Sequence, residues 1–255
     1  PENLIEAFDK FPQLGSSADP RSGMATGDNE RFLRIWSEVS AERVSLDSPS
    51  REAARESGKH WFPYNKGGTA RKWYGNNIHL VLFHEDGFEI KETKRERLAA
   101  GLITANNSKC WNQECYFLPC LTWSALSTSI SIRRCEHGFI FDTKGQSLFP
   151  EDVNDLSVYS ALLNSTVAAS FLEVLTPTLD FNSGYLRRIP DCIRDLNGRA
   201  AIEGVEDHCH RTARSDWDNY ETSWDFQSLP LLTASSDPTP TLEASYTAWS
   251  TQNKG

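Results

Sequence analysis

The side chains that could support catalysis are few and poorly spaced in this 255-residue sequence. The strongest candidate is "DGFEIK" at residues 86–91, because an acid followed by Glu-x-Lys is typical of nucleases in which two carboxylates hold Mg²⁺. Asp86, however, is predicted to lie in the turn of the hairpin that carries Glu89, since Asp-Gly favours such turns. A solvent-exposed hairpin is therefore the preferred interpretation, and a metal-dependent nuclease is the alternative.

Other motifs that carry chemistry are missing from the sequence. No two glycines are separated by a single residue, as a dinucleotide or methyl-donor loop requires, and no Pro-Pro pair supplies an Asn-Pro-Pro-aromatic motif. Gly67-Gly68 is followed by Thr-Ala, so no P-loop is present, and the histidines lack HExxH spacing. No nucleophile elbow of the Gly-x-Ser-x-Gly type occurs. The sequence therefore predicts no catalytic residue in this chain.

The cysteines are predicted to be reduced, buried thiols of a cytosolic protein, with disulfides or a structural metal as the alternatives. Spacings of five residues match no zinc site with paired two-residue gaps. Consecutive His-Cys-His side chains on a helix point about 100° apart and could not all bind one ion. The residues concerned are Cys110, Cys115, Cys120, Cys135, Cys192, Cys209 and the flanking His208 and His210.

A basic, aromatic and amide-rich stretch stands out in a chain of formal net charge -9. It reads "YNKGGTARKWYGNN" over residues 64–77, and no acid occurs between Lys59 and Gly75. Cations can replace the counterions of DNA phosphates, Asn side chains can pair with adenine edges, and aromatic rings can stack on unstacked bases. A second stretch, "LTWSALSTSISIRR" at residues 121–134, is rich in hydroxyls and also lacks acids. Nucleic-acid binding is one interpretation; core aromatics with solvated cations are the other.

Hydrophobic periodicity and turn signals predict an α+β fold, with mixed or antiparallel sheets, flanking helices and a helical or irregular extension. Residues 1–190 are predicted to form one domain. Residues 191–255, which carry 5 basic and 11 acidic side chains, are predicted to be the extension. Predicted helices are 3–11, 48–58, 91–100, a consecutive pair over 156–175, and 191–217. Predicted strands are 14–18, 32–39, 78–83, 88–90, 116–118, 121–124, 129–134 and 139–142, and 234–241 is predicted to be a linker.

No apolar run approaches the ~20 residues that a bilayer-spanning helix needs. The sequence therefore predicts a soluble, cytoplasmic protein without a membrane partner.

Several longer motifs together resemble the adenine-specific DNA methyltransferases of BREX phage-defence systems, the PglX family. They are "GMATGDNERFLRIW", "KHWFPYNKGGTARKWYGNN", "GFIFDTKGQSLFPE", "LLNSTVAASFLEVLTPTLDFNSGYLRRIP" and "DWDNYETSWDFQSLPLL". The second and last are the most specific to this family, and the resemblance runs from about Leu14 to Leu232. Leu121 departs from the family pattern, which has glycine before "TWS", and the cysteines are atypical.

The resemblance implies that this chain is the target-recognition domain and the segment after it. The methyltransferase core, with its S-adenosylmethionine loop and Asn-Pro-Pro-Tyr motif, is then expected before Pro1, and no cofactor is expected in this chain. In the family the recognition domain chooses the site on duplex DNA, while the core flips out one adenine and methylates its exocyclic amine. Expected partners are double-stranded DNA, the core of the same polypeptide and other BREX proteins.

The site residues predicted on this basis fall into three groups. Lys66, Arg71 and Lys72 are expected to contact phosphates or a base edge, with Asn65 and Asn76 reading bases and Trp73 and Tyr74 stacking. Ser124, Ser127, Arg133 and Arg134 are expected to form an opposing lip. Thr26, Asp28 and Asn29 are expected to organise the junction with the core, or simply to form a tight capped loop. The alternative function is a protein-interaction module that docks the core or other defence proteins through the acidic extension.

Overall fold

The computed structural model describes residues 2–176, 178–195, 197–235 and 241–252. These residues form an α+β fold with two four-stranded sheets and helices packed around them. The fold class predicted from the sequence is therefore confirmed.

The strands are β1 (Ala18–Arg21), β2 (Leu33–Ile35), β3 (Trp61–Asn65), β4 (His79–Leu82), β5 (Cys120–Ser124), β6 (Arg133–Cys135), β7 (Ile140–Phe141) and β8 (Gly145–Pro150). The α-helices are α1 (Glu2–Lys10), α2 (Asn29–Phe32), α3 (Arg51–Glu56), α4 (His84–Ala99), α5 (Leu156–Asn164), α6 (Thr166–Leu175), α7 (Ser183–Leu186), α8 (Arg199–Asp218), α9 (Pro230–Thr233) and α10 (Leu242–Gln252).

The first sheet has the strand order β1-β8-β5-β6, and all its neighbours are antiparallel. Leu121 of β5 lies opposite Leu148 of β8, and both are buried beneath α5 and α6. Trp123 completes this core and donates its indole N–H to the carbonyl of Phe181 at 2.6 Å. The amphipathic pair of helices predicted over 156–175 thus covers the sheet, and Ser165 caps the second helix by accepting from the amide of Ala168.

The second sheet is mixed, with the strand order β2-β4-β3-β7. Strand β3 is antiparallel to β4 and parallel to β7. Its core is aromatic and includes Phe62, Tyr64, Phe83, Tyr116 and Phe141. The two sheets meet where β7 continues into β8 through residues 142–144. A Cβ on Gly145 would lie 2.1 Å from the carbonyl oxygen of Asn65, so the close approach of the two backbones requires glycine there.

The predicted extension begins with an ordered helix that packs on the rest of the molecule. Helix α8 lies against α5 and buries Glu206, His210 and Trp217, while α10 contacts α9. The division at residue 190 stays a prediction. Most of the predicted linker at 234–241 lies outside the described residues.

Several predicted strands are wrong because tertiary contacts impose other conformations. Glu85, Asp86 and Gly87 all have positive φ, at 47°, 61° and 71°, so the segment turns left-handed into α4 and no hairpin strand forms at 88–90. Leu14–Ser16 is a 3₁₀ helix, and the amide of Leu14 donates to Ile189.

Other differences concern the ends of strands and the strands that were missed, which include β1 beyond Ala18. The segment predicted as a strand over 32–39 divides into the end of α2, β2 and a 3₁₀ turn. Residues 116–118 form no strand, and of the predicted 129–134 segment only residues 133 and 134 pair in the sheet, as part of β6. Strands β3 and β8 were not predicted, because their buried sequences lack a period of two.

Within the described residues, no single helix is long and apolar enough to cross a membrane. Only Val153–Asn164 taken together with Thr166–Leu175, a pair bent by 69°, reaches that length and composition.

Candidate nucleic-acid interface

The basic stretch forms the long connection between β3 and β4, which we call the interface loop (residues 66–78). Its backbone is held rather than free: Trp73 donates to Ile132 at 2.7 Å and accepts from Arg134 at 3.0 Å, so the loop pairs locally with β6. Positive φ at Gly75 (117°) and Asn76 (61°) turns the chain back towards β4. The loop therefore bridges the two sheets and presents residues 68–70 to solvent.

Lys66 is neutralised by a buried carboxylate. Its Nζ lies 2.5 Å from Oδ2 of Asp142, whose side chain is 1% exposed. Asp142 also accepts from the hydroxyl of Tyr64 at 2.8 Å and from the amide of Lys144 at 2.7 Å. This pair joins β3 to the segment between the two sheets, so the contact made by Lys66 is structural.

Arg71 is held by helix α8. Its guanidinium forms an ion pair with Asp216 and lies 5.0 Å from the ring centroid of Trp217. Its backbone amide donates to Ser131 at 3.2 Å, which fixes the loop to the segment before β6. The acidic extension thus supplies the counter-charge for a cation that was expected to face DNA.

The two arginines expected on the opposing lip point into the protein. Arg133 is 2% exposed, and burial lowers its pKa to about 10. Arg134 donates to Glu206 of α8 at 2.7 Å and lies 3.4 Å from Glu136. Glu206 is fully buried, and burial raises the pKa of this carboxyl in spite of Arg134. In this structure the two side chains are enclosed between β6 and α8, and their role in a DNA-binding lip stays a prediction.

Lys72 differs from these cations. It is exposed, and its Nζ donates to the carbonyl of Asn164 at 2.7 Å, so no carboxylate among the described residues neutralises it. It lines a cleft of about 500 Å³ together with Glu173, several apolar side chains, and hydroxyl side chains from the β5–β6 connection and from the two ends of α6. These hydroxyls belong to Thr128, Ser129, Ser165, Thr176 and Thr178. The structure thus brings one predicted cation next to the second, hydroxyl-rich stretch.

The predicted serines lie beside this cleft. Ser124 is buried, and its hydroxyl donates to the carbonyl of Gly68 at 2.9 Å, which ties the loop tip to β5. Ser127 is half-buried, and its amide donates to Leu179 at 3.2 Å. Ser127 directly precedes Thr128 of the cleft lining, but neither serine lines the cleft itself.

The aromatic and amide side chains that were predicted to contact DNA bases mostly make contacts within the protein. Tyr74 packs edge-on against His210 at 5.4 Å, and burial raises its pKa to about 12. Trp73 is half-buried. Asn65 is buried beside the thiol of Cys135 at 3.6 Å, whereas Asn76 is half-buried and donates to the carbonyl of Thr69 at 2.9 Å. Asn76 thus lies against the exposed residues 68–70 of the loop.

The turn predicted to organise a domain junction is a capped loop. Asp28 accepts from the amide of Arg31 at 3.1 Å and so caps α2. Thr26 is buried and its hydroxyl donates to Asn29 at 2.6 Å. A role at a junction stays a prediction.

The nuclease alternative finds no support in the geometry. Asp86 is held by Arg51 and Lys91, with Nζ of Lys91 at 2.6 Å, while Glu89 pairs with Arg31 on the surface of α4. These contacts direct the two acids to different partners. Among the described residues, no group of three or more His, Cys, Asp or Glu side chains is placed to hold a metal ion.

A further set of exposed polar residues was missed in the sequence. Residues 99–113 contain no acid, one cation and four amide side chains, a composition that could have drawn attention to them. They form the connection after α4 and lie next to residue 143, close to the interface loop. The relevant residues are Asn106, Asn107, Lys109 and Trp111.

Comparison with known proteins finds two adenine-specific methyltransferases that each contain a segment similar to this chain. It is 36% identical over 240 residues to the adenine-specific methyltransferase PglX of Lacticaseibacillus casei (strain Zhang), an alignment that covers 93% of this chain and 19% of that protein. It is 32% identical over 233 residues to the adenine-specific methyltransferase BrxX of Escherichia coli O9:H4 (strain HS), covering 90% of this chain and 17% of that protein. No family model matches the chain. The resemblance indicated by the sequence motifs is confirmed, and the chain spans less than a fifth of the length of these relatives.

Proposed function

We propose that this chain, which matches one segment of the adenine-specific methyltransferases PglX and BrxX, is the DNA target-recognition region of such an enzyme in a BREX phage-defence system. The observation that carries the proposal is the similarity over almost the whole chain, combined with a sequence that holds no methyl-donor loop and no Asn-Pro-Pro motif. Methyl transfer from S-adenosylmethionine would then be performed by another segment of the same polypeptide. This region would bind duplex DNA and select the site.

The cleft beside Lys72 is the part of the predicted surface that best suits a DNA backbone. A lysine without a carboxylate partner keeps its charge available for a phosphate, and neighbouring hydroxyls are common donors to phosphate oxygens. Asn76, beside the exposed tip of the interface loop, is the best placed of the predicted base readers. We therefore centre the proposed interface on Lys72, Asn76 and the hydroxyl residues at 127–129.

The decisive test compares two lysines in matched environments. Lys72 and Lys59 each donate to a backbone carbonyl, at 2.7 and 2.6 Å, but only Lys72 lines the proposed cleft. Binding of a labelled duplex is measured by fluorescence anisotropy between low and moderate salt. We expect Lys72→Ala to reduce the slope of log affinity against log salt by about 0.9, the value for one phosphate contact.

Lys59→Ala is expected to leave that slope unchanged. Equal slopes for wild type and Lys72→Ala would place DNA elsewhere on the molecule. Absence of salt-dependent duplex binding by the wild-type chain would contradict the proposed function for the isolated region.

A protein-interaction module is the second candidate, favoured by one observation. Helices α8, α9 and α10 border a cavity of about 720 Å³ whose lining includes Leu229, Tyr246 and Trp249, and Tyr220 beside them is largely exposed. Such a surface suits the methyltransferase core of the same polypeptide. Binding of this chain to a separately produced core that persists at high salt and after nuclease treatment, but falls with Tyr246→Ala, would support it.

A further inference from the structure

A polar pocket lies on the surface beside the interface loop and is built from residues that the sequence motifs did not include. It has a volume of about 310 Å³ and lies between the connection after α4, the segment after β1 and the junction of β7 with β8. We call it the Trp111 pocket. Its lining residues are Ser22, Ala25, Asn106, Asn107, Lys109, Trp111, Asn112 and Thr143.

The pocket presents an aromatic ring to solvent. Trp111 is 37% exposed, whereas the indole of Trp123 in the first core is fully buried. Nζ of Lys109 lies 4.7 Å from the ring centroid of Trp111, so an ammonium group already covers part of this indole. An exposed indole next to a cation forms a platform on which a planar, electron-rich heterocycle can stack.

The amide side chains of the pocket differ in whether they already form hydrogen bonds within the protein. Asn112 is fixed, because it donates to the carbonyl of Ser22 at 2.8 Å and accepts from Arg21 at 2.6 Å. Asn106 and Asn107 are exposed, and their side chains have no hydrogen-bond partner among the described residues. Each free amide offers both a donor and an acceptor, which is what the edge of a nucleobase requires.

The electrostatics favour a ligand that carries phosphate. Among the described residues, no carboxylate lines the pocket. Asp142, which precedes Thr143 of the lining, is buried and already accepts from Lys66, Tyr64 and the hydroxyl of Thr143. Lys144, the next residue along, is exposed and has no ion-pair partner in the described part of the chain.

The pocket is linked to the interface loop through the residue after Thr143. The carbonyl of Lys144 accepts from Ala125 at 2.8 Å and would lie 3.2 Å from a Cβ placed on Gly67. Thr143 of the pocket lining is thus one residue away from a direct backbone contact with Gly67 of the interface loop.

We propose that the Trp111 pocket binds a nucleobase that has left the duplex stack. The base would stack on Trp111, its polar edge would pair with Asn106 or Asn107, and Lys109 would face the flanking phosphate. This inference rests on the proposed function, because it requires that the chain bind DNA.

The test uses two duplexes of identical sequence, one fully paired and one with a single extrahelical adenine. Both are titrated into the full chain at one salt concentration, and affinities are measured by anisotropy. Wild type is expected to bind the bulged duplex roughly 10-fold more tightly, because one base stacked on an aromatic side chain is worth about 1–3 kcal/mol. Trp111→Ala is expected to abolish this preference and leave the affinity for the paired duplex unchanged, whereas Trp111→Phe keeps part of it.

Lys10→Ala serves as the control for Lys109→Ala, since Lys10 also lies over a ring, that of Phe11, but near α1 and away from the pocket. Only Lys109→Ala is expected to weaken binding of the bulged duplex. An unchanged preference in Trp111→Ala, or no preference in a wild type that binds both duplexes, overturns the inference and leaves the proposed function standing. A wild type that binds neither duplex overturns both.

Discussion

Lys72 and its neighbour Arg71 carry the same charge in different surroundings. Arg71 faces Asp216 of α8, while Lys72 faces a backbone carbonyl and an open cleft. The sequence shows both as members of one basic stretch, because their partners lie 145 and 92 residues further along the chain. The residue types of the candidate site could thus be predicted, but which cations remain available could not.

His210 gives a prediction at the same scale. Burial, assisted by Arg134 and Arg214, lowers its pKa from 6.5 to about 4. Between these values the unfolded chain binds a proton that the folded chain does not, so stability falls as pH decreases from about 6.5 towards 4. The shift corresponds to at most about 3 kcal/mol. We expect His210→Gln to remove this contribution to the pH dependence of the free energy of unfolding. The measurement is urea unfolding between about pH 6.5 and pH 4.

The matched control is His208→Gln, on the exposed side of the same helix. Glu206, whose pKa is raised by burial, contributes a pH dependence of the opposite sign, so the informative quantity is the difference between wild type and variant. Identical differences for the two histidine variants would show that the buried imidazole does not titrate as described.

At the scale of elements, the interface loop and α8 hold each other in place. The ion pair between Arg71 and Asp216 is partly exposed, and Trp217 adds a cation–π contact at 5.0 Å. We expect Arg71→Ala to lower the free energy of unfolding by about 1 kcal/mol, the sum of modest terms for such contacts. The free energies of unfolding of Arg71→Ala, Asp216→Asn and the double variant are measured by chemical denaturation. The coupling energy between the two substitutions is expected to be smaller than the effect of Arg71→Ala alone.

If the contact is structural as described, Arg71→Ala also changes duplex affinity less than Lys72→Ala does. A larger loss of DNA binding with Arg71→Ala, at unchanged stability, would mean that DNA displaces Asp216 from this guanidinium.

The secondary-structure elements that could be predicted are those specified by residues close together in the sequence. The paired helices α5 and α6 could be predicted from an apolar face and the capping serine between them, and both are buried on the first sheet. The turn at Glu85–Gly87 could not, because its left-handed backbone is stabilised by Arg51 and Lys91 around Asp86. Strands β3 and β8 could not be predicted because they lack alternation of buried and exposed side chains. Strand β3 is buried along its whole length, and the first four residues of β8 are buried.

At the scale of the whole molecule, a buried ion pair is one of the contacts that join the acidic segment to the folded body. Glu206 of α8 is fully buried against Arg134 of β6, so removing this carboxylate leaves a largely enclosed arginine with only the longer, 3.4 Å contact to the exposed Glu136. We expect Glu206→Ala to reduce the free energy of unfolding by about 3 kcal/mol, as is usual when one member of a buried pair is lost.

Glu203→Ala is the control, since Glu203 pairs only with Arg199 on the surface of the same helix and should cost less than about 1 kcal/mol. Both variants are compared by urea denaturation followed by circular dichroism. A small effect for Glu206→Ala, or separate transitions for α8 and the sheets, would indicate that the segment after residue 190 is an independent unit.

The attachment of the interface loop on three sides has a consequence for recognition. Its backbone is bonded to β6, its tip to β5 and its side chains to α8. Conformational entropy is therefore lost when the chain folds and not when a ligand arrives, so a ligand that contacts this loop meets a preorganised template. Such a template selects ligands whose shape already matches the loop, and the loop does not rearrange to fit the ligand.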